Sequence, residues 1–246
     1  MREGGTPGGP AVHVLMRKEE LDPARIADKT VVVVDVLFAT TTIAAVLDHG
    51  ASRVYPVADA AEGRALAALP GMDQAVLAGE TMFRFIDGFA PPTPLALCPH
   101  VAKRGTLIYA TTNGTVALKA CAGARRVLVG SLINAGATVD AIDVSRRDTI
   151  LVLCAGTAGA FNLEDFYGAG CLVERLAGRV ACRLTDAAQA ARDAFRASDA
   201  EPVLRRSRVG RLMHKWGLDS EVAFAARVDR CRVAAELHGD HVRTLE

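Results

Sequence analysis

VVVVDVLFATTTIAAVLDHG, residues 31–50, decides how the rest of the 246-residue chain is read. Four β-branched residues in a row, Val31 to Val34, predict a strand buried on both faces, as a parallel sheet requires. Asp35 falls where that strand ends. Thr40, Thr41 and Thr42 then open a helical run in which Ile43, Ala44, Val46 and Leu47 share one face, and Gly50 stops it. A carboxylate at a strand tip, followed by hydroxyls and free amides at a helix N-terminus, suits a cation beside a phosphate or another anion. The same residues equally suit a threonine cap and a strand-end turn with no ligand.

Working outward, Val12–Met16 reads as a strand and Leu21–Asp28 as a short polar helix. After the opening strand and helix come a strand at Arg53–Val57, an Ala-rich helix from Ala58 to Leu69, and a strand at Gln74–Ala78. Strand–helix alternation of this kind implies parallel βαβ units with right-handed crossovers. Proline then interrupts residues 90–99, APPTPLALCP, and marks a candidate lobe boundary.

A second passage matches the first at an offset of 73 residues: Thr115 stands for Thr42, Ala117 for Ala44, Gly123 for Gly50 and Arg126 for Arg53. Both passages read apolar strand, threonine-rich turn, short helix, Gly-Ala, strand. A duplicated α/β unit and ordinary βαβ grammar both account for that match. A third apolar strand, residues 149–154, runs into Ala155-Gly-Thr-Ala-Gly159, and Asn162 with Asp165 approximates a capping box. The expected fold class is a three-layer α/β/α arrangement on a mostly parallel sheet, built from two related lobes. The expected divisions are a flexible tail at 1–10, a first lobe at 11–95 and a second at 96–246 with C-terminal helices, the two lobes forming either separate units or one compact domain. After residue 185 the chain reads helical; Arg205, Arg206, Arg208 and Arg211 read as a solvated helix face. His238–Glu246 carries no clear pattern.

Half of the residues are apolar, a globular composition. A formal net charge of +1 argues against nucleic acid as the main partner. No apolar run approaches the ~20 residues needed to span a bilayer, and MREGGTPGGP lacks the apolar core of a signal peptide. Six cysteines without a C-x-x-C point away from structural zinc and disulfides and toward a reducing, cytoplasmic setting, with Cys98-Pro-His100 only a weak metal motif. The oligomeric state is open, a homo-oligomer included.

Several phosphate chemistries are excluded by spacing. Cys154 is followed six residues later by Ala160 rather than arginine, Asp35 lacks a second acid two residues on, and there is no G-x-x-x-x-G-K-[ST] or G-x-S-x-G. What remains are carboxylates at turns: Asp35, Glu80, Asp87, Glu164 and Asp165. Two or three of these around Mg2+ would leave positions for water and a phosphate oxygen. Helix caps, or surface pairs with Arg84, Lys103 and Arg104, are the alternative.

Five motifs in order resemble the 2-phosphosulfolactate phosphatase (ComB-like) family. They are Asp35-Val-Leu-Phe-Ala-Thr-Thr-Thr42, Gly79-Glu80, Thr111-Thr-Asn-Gly-Thr115, Gly130-Ser-Leu-Ile-Asn134, and Cys154-Ala-Gly-Thr157 with Glu164-Asp165. The resemblance implies a Mg2+-dependent phosphatase acting on the phosphate ester of a small anionic 2-phospho-carboxylate. The family's reference reaction gives 3-sulfolactate and phosphate in coenzyme M biosynthesis. By motif it implies Asp35, Glu80 and Asp165 as metal ligands, with Glu164 among the catalytic carboxylates. Thr40, Thr41, Thr42, Thr112, Asn113, Gly114 and Thr115 fall on the phosphate side. Asn134, Cys154 and Gly156 join the substrate-binding set without a defined role. Two departures stand out: Phe38 replaces the motif's arginine, and Gly88-Phe-Ala-Pro-Pro-Thr-Pro94 replaces a polar G-F-D-x-G-N-S-P segment. They imply either a less charged ester or a weakened, non-catalytic metabolite-binding relative.

Overall fold

The computed structural model describes residues 9–101, 105–145 and 148–245. The chain opens with strand β1 (Ala11–Leu15), two short 3-10 turns (Lys18–Glu20 and Pro23–Arg25), β2 (Thr30–Val34), α1 (Ala39–Asp48) and β3 (Arg53–Val57). Then come α2 (Ala60–Ala67), β4 (Val76–Thr81), β5 (Arg84–Phe85), α3 (Pro94–Leu97), β6 (Thr106–Ala110) and α4 (Gly114–Ala120). Next are β7 (Arg126–Gly130), a 3-10 turn at Leu132–Asn134, α5 (Ala135–Asp140), β8 (Ile150–Cys154) and α6 (Leu163–Arg179). The last part holds β9 (Arg183–Leu184), α7 (Asp186–Arg196), α8 (Ala200–Arg206), α9 (Arg208–Lys215), α10 (Asp219–Ala225), β10 (Ala235–His238) and β11 (His241–Thr244).

The strands form one sheet in the order β5-β4-β6-β3-β11-β10-β7-β2-β8-β1-β9. All five residues of β2 are buried, as the valine run predicts, and β2 pairs in parallel with both β7 and β8. Val32 and Val34 face one apolar cluster, shared with α6, α7 and α8. Val31 and Val33 face another, shared with α1 and α4. Helices therefore cover both faces of a mostly parallel sheet, the α/β class expected. Strands from the two expected lobes interleave: β2 lies between β7 and β8, and β6 between β3 and β4.

The principal surprise is the C-terminus. Residues 235–244, which carried no clear pattern, form a hairpin that enters the middle of the sheet, with β10 against β7 and β11 against β3. The signal was there: Gly239-Asp240 is a two-residue loop between two short runs, and Gly239 takes φ +62°. Three antiparallel pairings (β7–β10, β10–β11, β11–β3) separate the β3-β6-β4 group from the β7-β2-β8-β1 group, so by local pairing the two groups run in opposite senses. Twist accumulates across a sheet, and here the sheet coils around α1, bringing strand tips from both groups back together.

Helix α1 is the centre of that coil. Every residue from Ala39 to Leu47 is buried, not one face as the sequence pattern suggests. A helix apolar all round belongs in a core. The proline-rich segment is also part of the core: Pro92, Thr93 and Pro94 are buried, and the Pro92 carbonyl accepts hydrogen bonds from Thr42 Oγ1 (2.9 Å) and the Tyr109 hydroxyl. Buried Glu221 of α10 holds the segment from the other side, accepting from Thr93 Oγ1 at 2.6 Å and Leu95 N–H at 3.0 Å. Leu21–Asp28 contains only the 3-10 turn at Pro23–Arg25, capped by the Asp22 side chain; the chain leaves it at Ile26 and enters β2 at Thr30.

Candidate active site

Asp35 ends β2 beneath the first turn of α1 and is only 6% exposed. Thr40 fixes the turn: its Oγ1 accepts the Asp35 N–H (2.8 Å) and donates to the Asp35 carbonyl (2.9 Å). The Ala39 N–H donates to the Asp35 carboxylate. From the other strand group, Gly114 closes on the same carboxylate; a Cβ there would lie 2.4 Å from Asp35 Oδ2 and 2.3 Å from Ala39 Cβ. Only glycine permits this approach, so the coil of the sheet joins the two threonine-rich turns at one point.

Asp165, fully buried at the start of α6, joins a third strand tip to this point. Its Oδ1 accepts the Val36 N–H at 2.9 Å, and its Oδ2 accepts the Gly156 N–H at 3.1 Å and Asn162 Nδ2 at 3.4 Å. Asn162 makes no side-chain cap; its amide also donates to Thr157 Oγ1 at 2.8 Å. Gly156 has φ +64°, and a Cβ there would stand 2.8 Å from the Ala160 carbonyl oxygen. Glu80 is a second latch. It accepts the Thr112 N–H (2.7 Å), Thr112 Oγ1 (3.2 Å) and the Phe83 N–H (2.7 Å). That last bond secures the β4–β5 tip, where Met82 and Phe83 hold φ of +50° and +64°, a conformation non-glycine residues disfavour.

Glu164 differs. It is completely buried, and neither of its oxygens has a hydrogen-bond partner. Neighbouring Ser207 donates its hydroxyl proton to the Leu204 carbonyl (2.8 Å) instead. Burial pushes the Glu164 carboxyl above its ordinary range, against the opposing pull of Ser207, Arg208 and Arg211. Asp35 is raised to about 7, by burial first and then by the negative charges of Glu80 and Glu164; the Ala39 amide and Lys18 oppose the rise. Asp165 is raised by burial and by Asp35 and Glu164, against its bonds from Val36 and Gly156.

Most of the hydroxyls expected to surround a phosphate are committed to the backbone, and that of Thr112 to Glu80. Thr41 Oγ1 donates to the Val36 carbonyl and meets Ser131 Oγ at 2.6 Å, Thr42 donates to Pro92, and Thr115 Oγ1 donates to the Thr111 carbonyl at 2.8 Å. They hold turns because buried hydroxyls need partners. Asn134 is likewise structural, accepting the Ser131 N–H at 2.9 Å and donating to the Val129 carbonyl at 3.1 Å. Cys154 is buried within β8, and its thiol is pushed well up by burial, which disfavours a thiolate nucleophile. Asp87 is exposed. Lys103 and Arg104, read as surface partners for the acids, lie outside the described residues.

One residue that the sequence reading passed over does enter the site. Lys18 follows β1 in the charged run Arg17-Lys-Glu-Glu20, which reads as solvated. Its side chain is only 15% exposed, and its Nζ donates to Asn113 Oδ1 at 2.9 Å and approaches the Ala155 carbonyl at 3.5 Å. Arg205, Arg206, Arg208 and Arg211 are exposed, as a solvated face requires, although Arg208 Nη2 also lies 3.2 Å from Asn162 Oδ1.

The tips of β2, β6 and β8 thus converge on Asp35, Asn113, Gly156, Glu164 and Asp165, the residues that the motifs single out. A family model described as 2-phosphosulpholactate phosphatase matches residues 15–240. The chain belongs to this family. Three relatives, each named probable 2-phosphosulfolactate phosphatase, are similar along most of their length. That of Carboxydothermus hydrogenoformans is 36% identical over 228 residues, covering 92% of this chain and 93% of the relative. That of Caldanaerobacter subterraneus subsp. tengcongensis is 33% identical over 224 residues, covering 90% and 92%. That of Symbiobacterium thermophilum is 34% identical over 208 residues, covering 82% and 88%.

As a 2-phosphosulpholactate phosphatase family member, the chain belongs among phosphoric monoester hydrolases. No helix among the described residues is long and apolar enough to cross a membrane. Phe38 is 7% exposed and lies in the apolar cluster that also holds Leu37, Leu132 and Tyr167. The position is filled by packing, not by a charge.

Proposed function

We propose that the protein is a Mg2+-dependent phosphatase acting on a small 2-phospho-carboxylate of the 2-phosphosulfolactate type, in the cytoplasm. The observation that carries this reading is Glu164: a carboxylate with neither oxygen bonded, buried beside two further carboxylates, Asp35 and Asp165. Three carboxylates buried together are costly, and Arg208 and Arg211 offset the charge of Glu164 only in part; a bound cation would offset more. Among the described residues no group of three or more His, Cys, Asp or Glu side chains is placed to hold a metal ion. Mg2+ commonly keeps several waters and is bound by one or two protein carboxylates together with substrate phosphate. Asp35 and Glu164 are the carboxylates with most to offer: Asp35 accepts a single backbone N–H, from Ala39, whereas Glu80 and Asp165 each accept two. When bound, Mg2+ would neutralise phosphoryl charge and acidify a water.

The chain's own groups divide the remaining work. Asp165 and Glu80 hold the turns that carry Val36, Gly156 and Thr112, which fixes the strand tips against one another. Asp35, raised to about 7 without a metal, would be held ionised once Mg2+ binds it. Hydrolysis adds water across the P–O bond, and the leaving alkoxide takes up one proton.

Purified protein with Mg2+ should release phosphate from at least one ester in a panel of 2-phospho-carboxylates, and EDTA should stop release. Asp35→Ala should lower the rate by at least about 100-fold, the scale of losing a group that stabilises the transition state. A panel with no release above that variant refutes the reading. The second reading, a metabolite-binding relative without turnover, is favoured by Phe38, which leaves an apolar side chain beside Asp35. Turnover at ordinary enzyme rates would exclude it.

A further inference from the structure

We infer that Lys18 is a catalytic residue whose ammonium grips the phosphoryl oxygens of the ester. The inference rests on the phosphatase reading and adds a residue to it. Lys18 Nζ stands 2.9 Å from Asn113 Oδ1, and the next residue, Gly114, is the one that closes on the Asp35 carboxylate. The Lys18 backbone is fixed as well, its N–H donating to the Ala155 carbonyl at the tip of β8 (3.4 Å). The ammonium is therefore delivered from the tip of β1 to the junction of the β6 and β8 turns, one residue from Asp35.

Its present partners leave it available. Glu19 Oε1 lies 3.1 Å away, but the Glu19 side chain is 42% exposed, and solvent screens such a pair. Ala155 O, at 3.5 Å, is at the limit of a hydrogen bond. A phosphoryl dianion approaching Asp35 and Glu164 meets negative charge on both. Burying the lysine stem places a positive point charge where it offsets that repulsion. The threonine hydroxyls already have partners, the Thr112 hydroxyl on Glu80 and those of Thr40, Thr41, Thr42 and Thr115 on backbone carbonyls.

The test uses Lys18→Met, which keeps the stem and removes the charge, and Lys18→Arg, which keeps the charge. Inorganic phosphate binding with Mg2+ present is measured by calorimetry, alongside steady-state turnover of the best ester in the panel. Lys18→Met should weaken phosphate binding at least about tenfold and lower kcat/KM about 100-fold, with Lys18→Arg recovering most of both. Should Lys18→Met fail to fold by circular dichroism, Lys18→Gln, which retains a donor toward Asn113, carries the same comparison. Phosphate affinity and turnover equal to the parent in the charge-neutral variant would overturn the inference, as would absence of phosphate binding by the parent. If phosphate binds through Lys18 while no ester is hydrolysed, the inference becomes one about an anion site and its catalytic claim is overturned together with the phosphatase reading.

Discussion

Burial and two neighbouring carboxylates move Asp35 from an ordinary 3.8 to about 7. Between about pH 4 and 7 the folded protein therefore holds a proton that the unfolded chain has released. Metal-free stability falls as pH rises through that window and levels off above it. The ionised side chain is a cost to the fold at pH 8, which an amide removes while still accepting the Ala39 N–H. In EDTA at pH 8, Asp35→Asn should be more stable than the parent by roughly 1–3 kcal/mol, a discounted fraction of the shift. At pH 4 the difference should largely vanish. Urea titrations at the two pH values check this, and a variant weaker than the parent at pH 8 contradicts it. A gain of that size at pH 8 would mark Asp35 as a residue that stability alone does not account for.

Contacts between elements explain why the motif residues are those residues. Gly114 is where α4 comes down on α1, and the space for a methyl group there is already filled by Ala39 Cβ and Asp35 Oδ2. Gly114→Ala should cost roughly 1–3 kcal/mol, the scale of core overpacking, and displace Asp35. The expected result is a lowered urea midpoint together with lowered phosphate release; an unchanged midpoint would show that α4 shifts freely. At this scale the sequence was readable in part. Val31–Val34 could only be an interior strand, and Asp35 and Asp165 announced themselves as acids at strand and helix ends. The threonines are less legible: hydroxyls near a strand tip look the same in sequence whether they face a ligand or a carbonyl. Lys18 was hidden because a lysine between Arg17 and Glu19 reads as surface charge, and only the fold shows Asn113 beside it.

At the level of the whole molecule, the feature that sequence patterning did not deliver is the central hairpin. Ala235–His238 and His241–Thr244 are short and carry charged residues, so neither run resembles an interior strand. Their place is set by partners more than 100 residues away: Ala235 and Glu236 pair with Val129 and Leu128, and Glu236 is bridged by Arg126 at 2.8 Å. A chain ending at Ala234 loses both strands and leaves β7 and β3 with bare edges. It should lack a cooperative urea transition and aggregate on purification; a soluble, cooperatively unfolding truncation would argue that the two strand groups stand independently.

During synthesis the hairpin emerges after every other strand of the sheet. Everything made earlier waits with its middle open. All the site residues have been made by Asp165, yet β7 and β3 are joined only when residues 235–244 follow.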